Sequence, residues 1–253
     1  MKTGISRLPE TEILTILRAA DEIIGQGGRT LLTKILRGSR EKKILQLGLD
    51  KCAVYGYFKS VKLEEVKAKI MWMIDYGFLD IEYNGKLPMI VFTENGWEIE
   101  SDQLTNEFLS EWDQWLSENQ PIPDMSYLKD RNREMIFLFL DKVRETGDSK
   151  YIPYLEAWKE IDYKKVKAKI QGVIDQLNSN NPVDLRQVQE REASIQNALE
   201  GLAPQDFSIK CWECGNRFTF TVGEQQFYKE MGFHEPKRCP TCREKQKYEE
   251  LLF

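Results

Sequence analysis

Four cysteines in two close pairs constrain this chain more than any other feature: Cys211-Trp212-Glu213-Cys214 and Cys239-Pro240-Thr241-Cys242, with 24 residues between the pairs. Each C-x-x-C pair is short enough to fold into a tight knuckle whose backbone N–H groups point at sulfur, and four thiolates satisfy tetrahedral zinc. The pattern predicts one structural Zn2+ per chain, held by Cys211, Cys214, Cys239 and Cys242, with iron on the same ligands as the alternative. A redox dithiol would need one pair in a thioredoxin-like setting, which the flanking sequence lacks. Cys52 stands alone and reads as a small buried hydrophobe. His234, the single histidine, falls outside a coordination shell that is already full.

A sign reversal marks the other end of the chain. The formal charge is -5 over 253 residues, yet the stretch 27–57 carries seven Lys and Arg against only Glu41 and Asp50. Within it, Arg37-Gly38-Ser39-Arg40 reads as a helix end, a glycine stop, a serine N-cap and a second helix start. A helix start beside Arg37, Arg40, Lys42, Lys43 and Lys51 would offer unpaired N–H groups, a favourable dipole and cations together, which suits a phosphate. The glycine run 25–28 is not a nucleotide loop, because no strand precedes it and no Gly-Lys-Ser/Thr follows; it reads as a turn between helices.

The rest of the chain supports a multidomain α+β reading. At 41% hydrophobic there is room for one large or two to three small domains. Apolar spacing predicts a helix over 11–24 and another from Ser60 to a stop at Gly77. Phe78 to Tyr83 alternates as a strand, Asn84-Gly85 is a hairpin signal, and Met89 to Phe92 returns. From Glu98 to Gln120 the sequence is acidic, without Lys or Arg, and carries an apolar stripe of Phe108, Leu109, Trp112, Trp115 and Leu116. Pro121-Ile122-Pro123 breaks the chain. A helical block spans 131–178, and past Asn181-Pro182 a polar helix runs to Gly201. No apolar run of ~18 residues could span a bilayer, and the N-terminal MKTGISRLPETEIL lacks a signal-peptide core. A cytoplasmic setting follows as the expectation, without membrane partners.

Three groups of residues carry family resemblances. Leu36-Arg37-Gly38-Ser39, Gly48-Leu49-Asp50-Lys51, Tyr55-Gly56, the helix around Val66 and Ile70, and Gly77-Phe78-Leu79 occur in the order seen in the RQC domain, and residues 10 to 100 resemble that module. RQC domains are the winged helices carried C-terminally by RecQ-type DNA helicases. The resemblance implies a winged helix that grips duplex DNA, and it makes Tyr83 the candidate for a wing-tip aromatic that wedges a terminal base pair; cross-strand packing is the alternative role. Leu140, Gly147-Asp148, Ile152-Pro153-Tyr154-Leu155 and Val166 resemble one HEAT-type unit. The tail from Ile209 to Lys247 resembles a small probable zinc-ribbon family seen in bacterial proteins, which implies fold and metal but no mechanism.

These readings divide the chain into a winged helix over 1–105, a HEAT-like helical domain over 106–203 and a zinc ribbon over 204–253. The expected DNA-binding residues are Arg37, Ser39, Arg40, Lys42, Lys43, Lys51 and Tyr83. A helicase motor is excluded, since no Walker A lysine or Walker B acid pair occurs, and no nucleophile motif surrounds His234. The function expected is non-catalytic binding of duplex or branched DNA, nucleoid-associated if the source is bacterial. An RNA- or ribosome-associated factor and a protein-interaction scaffold are the alternatives. A helicase or other protein is the expected partner for the acidic and HEAT-like region.

Overall fold

A computed structural model describes residues 5–179 and 185–250, so the break expected at Asn181-Pro182 lies outside the described residues. The winged helix forms first along the chain. Helix α1 (Glu10–Asp21) and α2 (Arg29–Leu36) are followed by the short α3 (Lys42–Gln46), a 3-10 turn (Leu49–Lys51) and α4 (Leu63–Asp75). The wing is the antiparallel pair β1 (Leu79–Asn84) and β2 (Leu87–Phe92), with Asn84 opposite Leu87. The two turn residues are therefore Gly85 and Lys86, one position later than the Asn-Gly signal suggested, with Gly85 in the left-handed region at φ 64°.

The glycine run between α1 and α2 is held to the wing. Gly25 N–H donates to the Ile90 carbonyl at 3.0 Å, and Ile90 N–H donates to Gly27 at 2.8 Å. A Cβ on Gly28 would stand 2.5 Å from the Pro88 carbonyl oxygen, so only glycine lets this stretch lie against β2. A second crossing fixes the joint after α2. Gly38 and Gly56, both with positive φ, pass so closely that a Cβ on Gly38 would meet the Gly56 Cα at 3.0 Å. There the Ile35 carbonyl accepts from Gly56 N–H and the Leu36 carbonyl from Phe58 N–H, so the segment after the 3-10 turn is laced to the end of α2.

Helix α5 (Glu94–Ser117) leaves the wing and runs unbroken for 24 residues, through the boundary expected near 105. Its start buries Ile99 in the winged-helix core with Ile16, Leu17, Ile70 and Phe78. Further along, Leu104, Phe108 and Trp112 belong to a second core. That core is completed by α6 (Arg133–Thr146), α7 (Ile152–Ile161) and α8 (Lys164–Asn178), which make up the helical block expected over 131–178, with Gly147 as the left-handed stop of α6. Trp112 is fully buried among Phe139, Tyr151, Tyr154 and Trp158 and donates its indole N–H to the Tyr127 hydroxyl at 2.8 Å.

Helix α9 (Leu185–Glu200) lies along α5 and returns the chain to the winged helix, where Ala198 and Leu199 enter the first core. The last unit pairs β3 (Phe207–Lys210) with β4 (Arg217–Phe220), then adds α10 (Val222–Met231) and α11 (Pro240–Glu250). No helix of the described residues is long and apolar enough to cross a membrane.

The acidic stretch is used inside the fold. Glu107 pairs with Arg18 at 3.0 Å, Asp102 with Lys142 at 2.6 Å and Asp113 with Lys150 at 2.9 Å. Glu98 accepts from the Ser194 hydroxyl at 2.5 Å. Carboxylates that form a run in sequence are thus distributed around α5 and matched by cations of α1, α6 and the turn beyond α6.

Candidate nucleic-acid interface and metal centre

The metal centre is built by a hairpin and a helix. Cys211 directly follows β3, and Gly215, at φ 75°, lets the chain turn back through the knuckle so that Gly215 N–H reaches the Cys211 carbonyl at 3.0 Å. The second pair does not make a second knuckle. Cys239 precedes Pro240, the first residue of α11, and Cys242 lies in that helix's first turn, with Arg243 N–H donating to the Cys239 carbonyl at 3.0 Å. Proline at the first helical position loses no hydrogen bond there, so the Cys-Pro-x-Cys sequence sets both a helix start and a ligand pair.

The four sulfurs all lie within 4.8 Å of one another, and Cys214 and Cys239 stand 3.8 Å apart. Zinc–sulfur bonds of 2.3 Å at tetrahedral angles require sulfurs about 3.8 Å apart. The Cys211 thiol is drawn down to about 6 by backbone N–H groups, first that of Cys214 and then that of Cys239, which donates at 3.3 Å. Cys242 is pushed up to about 12, chiefly by its contact with the Cys239 thiol. Four thiolates this close repel one another, and a dication resolves the conflict. The donor set fits one structural zinc ion. His234 is exposed and outside the cluster.

The joint at 37–43 differs from its expected form. Gly38 does end α2, at φ 69°, but Ser39 caps nothing: α3 begins only at Lys42, and Glu41 occupies the N-cap position without a side-chain cap. Ser39 is held instead by its carbonyl, which accepts from the Tyr55 hydroxyl at 2.9 Å, while its Oγ accepts from Glu41 N–H at 3.4 Å. The Tyr55-Gly56 contact thus delays the helix by two residues, and a carboxylate stands where an anion would have been received.

The expected cations separate into two groups. Arg37 is half-buried and donates to the carbonyls of Phe58 and Lys59 at 3.4 and 3.1 Å, clamping the loop before α4. Arg40, Lys42, Lys43 and Lys51 are exposed and have no ion pair among the described residues. Lys42 and Lys43 lie on α3, which packs against the 3-10 turn that carries Lys51, and Arg40 precedes α3 by two residues. Lys34, by contrast, is neutralised by Glu41 at 2.6 Å. Lys59 and Lys62, which the sequence did not single out, are also exposed, and the Lys59 carbonyl lies against Arg37.

Tyr83 sits opposite Pro88, one step from the wing's end pair. The alternation of β1 puts it on the same face as Leu79 and Ile81, beyond the edge of the winged-helix core. The zinc module touches its tip, since a Cβ on Gly232 would stand 2.4 Å from the Tyr83 hydroxyl, yet Tyr83 stays 44% exposed. Gln226 of α10 also donates to Asp75 at the end of α4, at 2.8 Å.

Residues 10–108 match the family model of the RQC domain, and residues 205–250 match a family described as a probable treble clef domain. The treble clef description agrees with a ligand pair on a hairpin knuckle and a second pair on a helix start, and it refines the zinc-ribbon reading of the tail. Neither a curated protein nor a solved structure matches the chain. The chain therefore joins an RQC domain and a treble clef zinc module through a helical block.

Proposed function

We propose that this chain is a non-catalytic protein that grips duplex or branched DNA through the phosphate backbone, using the exposed edge of its RQC domain. The observation that carries this reading is the cluster of Arg40, Lys42, Lys43 and Lys51, exposed and without ion pairs among the described residues, in a chain of net charge -5. Cations that meet phosphate release condensed counterions, so such a patch favours any duplex over a particular base sequence and loses affinity as salt rises. The RQC match supports a nucleic-acid partner. The placement of four of the five cysteines in a metal site, with the only histidine exposed, supports binding over catalysis.

Fluorescence anisotropy of labelled blunt duplex DNA at two salt concentrations tests the proposal. Arg40→Glu with Lys43→Glu should weaken binding to every sequence and reduce the salt slope by about two. Affinity and slope equal to wild type would place the interface elsewhere. Preference for an RNA duplex over DNA of the same sequence would favour the RNA-associated reading.

A further inference from the structure

Trp212 is the most exposed large hydrophobic side chain among the described residues, at 76%, and it stands at the tip of the zinc knuckle between the ligands Cys211 and Cys214. Knuckle tips are sharply turned and carry small or polar residues without difficulty, so an open indole there is not explained by folding. Its surroundings are cationic. The Lys237 ammonium lies over the indole ring at 4.6 Å, and Trp212 N–H donates to the Lys237 carbonyl at 2.9 Å. Arg238 follows, paired with Glu213 at 2.9 Å. Lys210 and Arg217 face each other across the hairpin that leads into the knuckle, and both are exposed. The knuckle, the hairpin that leads into it and the segment beside it thus carry four cations and one carboxylate, with Lys237 on the ring itself.

We infer that Trp212 is a stacking platform for an unpaired base, with Lys210, Arg217, Lys237 and Arg238 tracking the phosphates on either side. An aromatic face accepts any base, and neighbouring cations hold the backbone, which is how single strands are bound without sequence preference. The placement favours a strand continuous with the duplex of the preceding proposal, on which this inference rests for its biological setting. Gly232 lies against Tyr83 of the wing, and the five-residue path from Gly232 to Lys237 spans at most about 18 Å. A few nucleotides leaving a duplex end at the wing therefore reach the indole. Tyr83 is itself 44% exposed beside Gly232, so Tyr83→Ala in the same assay separates a contribution of the wing from that of the indole.

The test compares three labelled DNAs on full-length, zinc-loaded protein: a blunt duplex, the same duplex with a ten-nucleotide thymidine tail, and the free thymidine oligonucleotide. Wild type should bind the tailed duplex more tightly than the blunt one. Trp212→Ala should remove that gain, a loss of about tenfold or more, and leave blunt-duplex affinity unchanged. Trp212→Phe should restore part of it, and zinc content and melting temperature should not change. A tail preference that survives Trp212→Ala would overturn the assignment, as would no tail preference in wild type. If the blunt duplex fails to bind, the preceding proposal falls, and the free oligonucleotide then decides this one: binding that Trp212→Ala abolishes keeps the platform, and no binding removes it.

Discussion

The winged helix and the zinc module solve the same problem with different means. The first buries a continuous apolar set from Leu8 to Leu199, including Trp72, Phe78 and the Ile and Leu side chains of α1, α2 and α4. The second has as its buried centre Cys211, Cys239 and Cys242, with Phe218 partly buried against them. Around them the aromatic chain Phe207, Phe220, Tyr228 and Phe233 packs edge to face, with Phe207 and Phe233 largely exposed. A unit of about 46 residues cannot gain enough from apolar burial to offset chain entropy, so its coordination bonds must supply the difference. The comparison teaches that one chain can hold a unit whose stability depends on its apolar content and another whose stability depends on the metal supply.

The largest expected effect breaks the comparison on the metal side. Structural zinc contributes about 10–16 kcal/mol of apparent folding free energy in isolated zinc-finger peptides at pH 7. Removing zinc with a strong chelator, or Cys242→Ser, should unfold residues 205–250 while leaving the packing around Trp72 and Trp112 intact. Proteolysis followed by mass spectrometry should then show cuts confined to the tail. Cuts spread evenly over the chain would mean that the two units are not independent in their means of support.

A smaller effect sharpens the comparison on the apolar side. Glycine inside a helix ordinarily costs about 1 kcal/mol relative to alanine, so Gly96→Ala should stabilise α5 if propensity decided the outcome. Here a Cβ would stand 1.9 Å from the Phe78 carbonyl oxygen, a backbone atom that cannot rotate away. That carbonyl also accepts from the Thr93 hydroxyl at 3.0 Å, which fixes the start of α5 against β1. The variant should lose about 3 kcal/mol or more, and its melting temperature should fall by about 6 °C or more in calorimetry. A rise would show that the α5–β1 contact is loose.

A third effect concerns pH. Glu100 is completely buried on α5, and neither carboxyl oxygen has a hydrogen-bond partner. Burial, and then the Asp21 carboxylate, push its pKa up to about 9, so the folded protein keeps it protonated at neutral pH. Because the folded pKa lies above the unfolded one, the native state binds the extra proton, and stability falls as pH rises from about 4.5 toward 9. Arg18, Glu22 and Glu107 are the other charges that act on it. Glu100→Gln removes the titration, so its melting temperature relative to wild type should rise between pH 5 and pH 9. A constant difference would show that Glu100 does not change charge in that range.

How much of this was legible depends on the range of the interaction. Ligand identity at Cys211, Cys214, Cys239 and Cys242 follows from local spacing, as do the stops at Gly38 and Gly77, because each is decided within a few residues. Ser39 failed as a cap because Tyr55, sixteen residues away, holds its carbonyl. The acidic run was read as a surface for a partner protein because sequence gives charges in order, whereas folding matched Glu107 with Arg18 across 89 positions. Trp212 was passed over because a residue between two ligands reads as filler until its exposure is known.

Helix α5 has a mechanical consequence. Its 24 residues at about 1.5 Å each make a rod of about 36 Å with one end set in each apolar core. A tilt of about 5° at the wing end would carry the far end by about 3 Å, more than close-packed side chains such as Trp112 and Phe139 can absorb without exchanging neighbours. A load applied at the wing is thus transmitted as a lever stroke to α6 and through it to α8, and a restraint on α6 stiffens the wing in turn.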